Sequence, residues 1–120
     1  MNATDLTMFR ENTFSFDIAV TQNGAAVNLT GGTLRMIAKY SVLDADADAV
    51  FNKSSPSTGI TFLVAANGTA NITIDAEDTE DLPYELVPLV YDVRFVDSVG
   101  GIYQVLYGTL QILPNVVRTT

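Results

Sequence analysis

Asp44-Ala45-Asp46-Ala47-Asp48 places a carboxylate at every second position, a spacing that could serve a calcium loop. Asp75, Glu77, Asp78, Glu80 and Asp81 crowd a second connection, and paired carboxylates are the working groups of glycoside hydrolysis. A helix-flanked calcium loop needs oxygen ligands at positions 1, 3 and 5, glycine at 6 and glutamate at 12. Counted from Asp44, the glycine position holds Ala49 and the glutamate position holds Ser55, so the diagnostic residues are missing. The run reads instead as a solvated connection whose charge discourages stray pairing at a sheet edge. Spacing alone leaves a weak calcium site of another kind open. A glycosidase needs its two carboxyl groups across a cleft, one with a raised pKa. The second run crowds its acids into one connection, and the chain has no Trp to stack a sugar. It reads as an exposed helical turn over 76–82, its acids near the positive end.

Other chemistry is scarce. The chain has no His and no Cys, which removes the commonest general base, the thiolate nucleophile and the usual transition-metal ligands. It carries no G-x-S-x-G elbow and no glycine-rich phosphate loop. No enzyme activity and no cofactor are expected. Fourteen acidic residues against 6 basic ones give a formal charge of −8, which repels nucleic acid and anionic membrane surfaces. The basic residues are isolated along the chain. The first residues lack the charged and apolar regions of a signal peptide, and no apolar run approaches the ~18 residues of a membrane span. The Asn-x-Thr triplets at Asn2, Asn28, Asn67 and Asn71 therefore read as turn and strand-edge residues, in a protein made in a cytoplasm.

Strands must carry whatever the chain does, because its dominant period is two. Phe14, Phe16, Ile18 and Val20 alternate with polar neighbours; so do Leu34, Met36, Ala38 and Tyr40. A short strand is expected around 49–53. Ile60, Phe62 and Val64 face inward on the next, and Asn67-Gly68 then signals a hairpin back to Ala70, Ile72 and Ile74. The longest strand sets Val87, Leu89, Tyr91, Val93 and Phe95 on one face. The last runs from Ile102 to Leu113. About seven short strands at regular turn spacing, with no long helix, predict an all-β antiparallel sandwich in one domain. Its core spans about 9–113, and 1–8 and 114–120 are terminal arms, at least one of them held by a neighbouring chain. Phe16, Ile18, Met36, Ile72, Tyr91, Phe95 and Leu110 are the expected core.

The order of these features resembles the immunoglobulin-like domains of tailed-phage virion proteins, in particular the N-terminal domain of baseplate upper proteins. "FSFDIAV" and "QNGAAVNLTGGTLRMIAKY" look like the family's first strand, turn glycine and second strand. "GITFLVAANGTANITIDAEDTEDLP" is similar to its hairpin and acidic turn, and "YDVRFVDSVGGIYQVLYGTLQILPNVVR" to its closing hairpin. The likeness spans roughly residues 9–118. It implies an immunoglobulin-like sandwich of about seven strands. The implied role is a non-enzymatic structural protein of a virion, binding other subunits as a tail or baseplate adaptor or as a capsid decoration protein. Its partners would be tail, baseplate or major capsid subunits and further copies of itself, with no nucleic acid and no membrane. Because the sequence ends where this domain ends in the baseplate protein, the shaft and receptor-binding attachment that follow there are not expected. A carbohydrate- or receptor-binding module of an adhesin is the alternative, and the missing Trp and failed calcium pattern weigh against it.

Within this frame the last strand is the place to look for a contact surface. Its Leu and Ile row is opposed by Tyr103, Val105, Tyr107 and Leu113, so it is apolar on both faces. Either a bulge inverts its register locally, or an apolar patch rimmed by Thr109 and Gln111 stands ready for a partner. Tyr suits such a patch, burying a ring while keeping a hydroxyl for a partner or water. The expected interface residues are Tyr103, Val105, Tyr107 and Leu113, continued by Val116, Val117 and Arg118 in the C-terminal arm.

Overall fold

A computed structural model describes residues 2–56 and 58–116. Their strands are β1 (Asn2–Ala3), β2 (Leu6–Phe9), β3 (Phe14–Ala19), β4 (Thr21–Gln22), β5 (Ala25–Ala26), β6 (Thr33–Lys39), β7 (Phe51–Ser54), β8 (Ile60–Val64), β9 (Thr69–Ile74), β10 (Val87–Val96) and β11 (Ile102–Leu113). The protein is all-β. Helical structure among the described residues is confined to 3-10 turns at Asp46–Asp48, Ala65–Asn67 and Ala76–Thr79. β3, β6 and β8 to β11 are the strands that alternation marks out, and β7 is the short one expected around 49–53; β1, β2, β4 and β5 are too short to show a period.

The larger sheet runs β7-β6-β10-β11, with β1 and β2 both on the far edge of β11. The second sheet is β3-β9-β8, and β4 and β5 make a separate small hairpin. Neighbours pair antiparallel except at the edge of β11, where β1 and β2 run parallel to it. The β8–β9 hairpin expected at Asn67-Gly68 is present. Gly68 ends its 3-10 turn with φ 75°, a left-handed conformation that glycine adopts without a Cβ penalty.

The inner rows of both sheets fall into one apolar cluster. Leu34, Met36 and Ala38 of β6, Val93 and Phe95 of β10, and Leu110 of β11 meet Ile60 of β8 and Ala70, Ile72 and Ile74 of β9, all fully buried. Of the expected core, Ile18, Met36, Ile72, Tyr91, Phe95 and Leu110 are buried, while Phe16 packs half-buried against the cluster. Two inward assignments fail outside β11, in which Ile102 of the expected core row is exposed as well. Tyr40 is exposed because β6 ends at Lys39 and the alternation stops there. Val64 is exposed beyond a register irregularity between Phe62 and Val64.

The N-terminal stretch is a further correction. Residues 2–9 do not form an arm outside the core, since β1 and β2 extend the larger sheet and Met8 is 3% exposed. Thr7 and Met8 continue the rows of Gln111 and Ile112, so this chain's own β11 holds them. The jog between β1 and β2 is built on contact with Gly108. A Cβ there would lie 2.2 Å from the carbonyl oxygen of Thr4, so only glycine admits the crossing backbone. Around it the Tyr91 hydroxyl donates to Thr4 O at 2.6 Å. The Thr109 hydroxyl and amide both donate to Asp5 Oδ1, at 2.9 and 3.2 Å.

Candidate interaction surface

The expected interface along β11 divides at a bulge. Leu106 pairs with Val93 but Gln104 pairs with Arg94, which leaves Val105 as the extra residue. Beyond the bulge the even positions face the core; before it the odd ones do. Tyr103 therefore points inward, against expectation. Its ring stacks on Phe95 with centroids 6.3 Å apart. Its hydroxyl donates to Asp97 Oδ2 at 3.2 Å. Val105 is likewise buried in the core cluster. Val105 is thus buried and Tyr103 half-buried, and neither lies on the outer face of the strand. The register inversion accounts for Tyr103 and Val105, though not for the apolar residues of the outer face beyond it.

Tyr107 and Leu113 do lie on the outer face. Tyr107 is exposed beside Asp92 of β10, and Leu113 is half-buried beside Phe9 of β2. Val116 is 95% exposed. Val117 and Arg118 lie outside the described residues.

Sequence periodicity gives no sign that seven exposed large apolar side chains share one end of the larger sheet, with Val96, Val99 and Ile102 exposed at the opposite end. β6, β11 and β2 finish, and β10 begins, at the same edge of the larger sheet, as the pairings Val90–Lys39, Val87–Ile112 and Leu113–Phe9 require. Emerging there are Tyr40, Val42 and Leu43 after β6, and Tyr84 and Leu86 before β10; all are exposed, Leu43 at 91%. Phe9 and Val116 belong to the same end and are exposed too. Only the strand register brings together residues this far apart in sequence.

The outer face of β6 and β10 carries a second feature, a shallow hollow of about 280 Å³ whose charged lining is Arg35, Lys39, Arg94, Asp46 and Asp92, with Ile37, Val90 and Val42 between them. Arg35 and Arg94 are direct cross-strand neighbours, an arrangement that costs stability unless anions sit close by. The Asp44–Asp48 connection supplies one. Asp46 Oδ1 is 2.7 Å from Lys39 Nζ, and its Oδ2 is 3.9 Å from Arg35. Its hydrogen bond and charge attraction to Lys39, with smaller help from Arg35 and Arg94, hold the Asp46 carboxyl below its usual pKa. Arg35 also donates to Asn52 Oδ1 at 3.1 Å. The three aspartates of the connection do not converge. Asp44 turns back to accept from the amide of Ser41 at 3.2 Å, and Asp48 points to solvent. Among the described residues no three acidic side chains come together as a metal site requires.

The second acidic connection, 75–86, is pinned from beneath. Asp75 and Asp78 cap its 3-10 turn reciprocally. The buried Lys53 of β7 reaches Asp78 at 2.6 Å and Asp75 at 3.5 Å. Arg10, 5% exposed, donates to the carbonyls of Leu82 (2.8 Å) and Glu80, pairs with Glu11, and lies 4.0 Å from the centroid of the Tyr84 ring. The Glu11 amide donates to the buried Thr79 hydroxyl at 2.8 Å. Asp97, in the β10–β11 turn, accepts from the amides of Gly101 and Val99 at 2.7 and 3.0 Å. Those bonds, led by Gly101, lower its pKa, and the bond from Tyr103 raises that of the phenol. These carboxylates shape turns.

No protein-family model matches the chain, and no curated protein matches it by sequence.

Proposed function

We propose that this chain is an immunoglobulin-like sandwich acting as a non-enzymatic structural module of a bacteriophage virion, where it binds other subunits. The strand order supports the fold. Immunoglobulin domains place strands B, E and D in one sheet and C, F and G in the other, with C′ added beside C in variable-type domains. Here β3-β9-β8 follows the B-E-D order, and β11-β10-β6-β7 follows G-F-C-C′. The inter-sheet disulfide and buried Trp of antibody domains have no counterpart, since the chain has neither Cys nor Trp.

The observation that carries the binding role is the apolar end of the larger sheet. Val42 and Leu43 stand 76% and 91% exposed after β6, and Tyr84 and Leu86 are exposed before β10. Apolar groups concentrated this way mark protein contacts more often than free surface. The resemblance of the strand and turn segments to phage virion domains supplies the setting. Density for the chain in averaged images of purified particles tests that setting directly. The binding surface is tested by Val42→Ser with Leu43→Ser, which is expected to fold normally and to be lost from particles. Normal incorporation of that variant would overturn the role assigned to this end.

A further inference from the structure

The described cations are segregated. Arg10 and Lys53 are buried and engaged within the chain, whereas Arg35, Lys39 and Arg94 all line the hollow on the outer face of β6 and β10. A protein of formal charge −8 thus gathers its outward-facing described Arg and Lys side chains at one spot. Ile37 and Val90 provide an aliphatic floor between them. Asp46 occupies Lys39 and approaches Arg35, and Asp92 also lines the hollow, but the Arg94 side chain has no hydrogen bond or ion pair among the described residues. A guanidinium in such a place presents a planar fork suited to a carboxylate.

The anionic counterpart is on the same molecule. Glu77, Glu80, Asp81 and Glu85 project from the 75–86 connection with exposed side chains, none of them bonded among the described residues. Arg10 fixes this ridge through the backbone carbonyls of Glu80 and Leu82 and leaves those carboxylates free. We infer that copies of this chain associate head to tail, the acidic ridge of one seating its carboxylates on Arg94 and Arg35 in the hollow of the next. The two surfaces are different patches, so the contact is heterologous and builds rings or chains instead of closed two-fold dimers. The inference stands on charge placement alone and holds whether or not the chain belongs to a virion.

Two electrostatic effects compete. Net negative charge keeps copies apart at low salt, where the screening length is ~30 Å at 0.01 M; it shrinks to ~8 Å near 0.15 M and ~3 Å at 1 M. Association is therefore expected to peak at intermediate salt and vanish at high salt. Sedimentation velocity of the full chain over a dilution series reads this directly. Arg35→Glu with Arg94→Glu is expected to abolish the larger species, and so is Glu80→Lys with Asp81→Lys. Mixing the two variants is expected to restore association, because each then meets opposite charge. Arg94→Gln alone serves as the milder variant should the double change disturb folding, and it is expected to weaken association without changing the melting curve. A wild-type chain that stays monomeric at every salt concentration overturns the inference. So does a folded pair of variants that fails to associate on mixing. Binding of a polyglutamate peptide to a strictly monomeric chain overturns the second copy as occupant.

Discussion

Residues 41–50 and 75–86 are both acid-rich connections that leave one strand, make a turn of 3-10 helix and enter another. The first spans β6 to β7, and none of the residues in its 3-10 turn is buried. It is held by side-chain contacts at the surface, chiefly Asp46 on Lys39. The second buries Thr79 and Leu82 and rests on two buried cations, Arg10 from the N-terminal stretch and Lys53 from β7. A surface ion pair is worth little because water already solvates both charges. A buried guanidinium whose donors face fixed carbonyls is different, since removing it strands acceptors with no water to replace it. The second carries six acids against three in the first, but the number of acids does not decide how firmly each is held. The depth of the cation beneath each does.

The comparison breaks most completely at the N-terminus. Deleting residues 1–8 removes Met8 from the core and the strand that leads into Arg10. Loss of a buried side chain of this size alone costs about 2–5 kcal/mol. The truncated chain is therefore expected to melt far below the full one by calorimetry, and an unchanged melting temperature would return residues 1–8 to the status of a free arm. Arg10→Ala comes next, at about 3–5 kcal/mol, since it leaves the carbonyls of Glu80 and Leu82 unpaired and uncovers the Tyr84 ring. Hydrogen exchange is expected to show the loss concentrated in 75–86. Protection lost evenly across both sheets would argue that Arg10 supports the whole fold and not this connection.

Much of this was legible in the sequence, and the failures have definite causes. Alternation located β3, β6 and β8 through β11, because a sheet face on a core imposes a period of two, and Asn67-Gly68 located a hairpin. β11 misled because one extra residue, Val105, inverts the period midway, which turned Tyr103 from a surface candidate into a partner of Phe95. β1 and β2 were missed because strands this short show no period, and their pairing with β11 is parallel across the whole length of the chain. The hollow was out of reach for a similar reason. Arg35 and Arg94 look isolated in sequence and become neighbours only through the β6–β10 register.

A smaller effect separates the two caps of the pinned connection. Asp78 accepts from the amide of Asp75 at 2.7 Å and from the buried Lys53 at 2.6 Å. Asp78→Ala removes both and leaves Lys53 only the longer contact to Asp75, so a loss of about 2 kcal/mol is expected in denaturant titration. Asp75→Asn keeps a cap and is expected to cost less. Equal losses from the two would show that the ion pair adds nothing to the cap.

The finest test compares how carboxylates in different settings titrate. The folded-state pKa of Asp46 is depressed, chiefly by its hydrogen bond to Lys39 and the attraction of that charge. The sign follows from linkage: a depressed carboxylate stabilises the fold above its unfolded pKa of ~3.9, and this is lost as pH falls through the folded value. Because Asp46 is solvent-exposed, Asp46→Asn is expected to leave the melting curve unchanged, and the effect is to be read from the residue itself. By carboxyl-carbon NMR, Asp46 is expected to titrate below the ordinary aspartate value, and Lys39→Met is expected to move it back up. Arg35→Gln should move it in the same direction by less, since that charge is a smaller cause. Asp97 is the internal reference. Its depression comes mainly from the Gly101 amide, so Lys39→Met should not shift it, and added salt should raise Asp46 while leaving Asp97 in place. Equal salt dependence at the two sites would show that Asp46 is not held by the cations of the hollow. The acidic connection of 44–48 would then be free of the face it leans on.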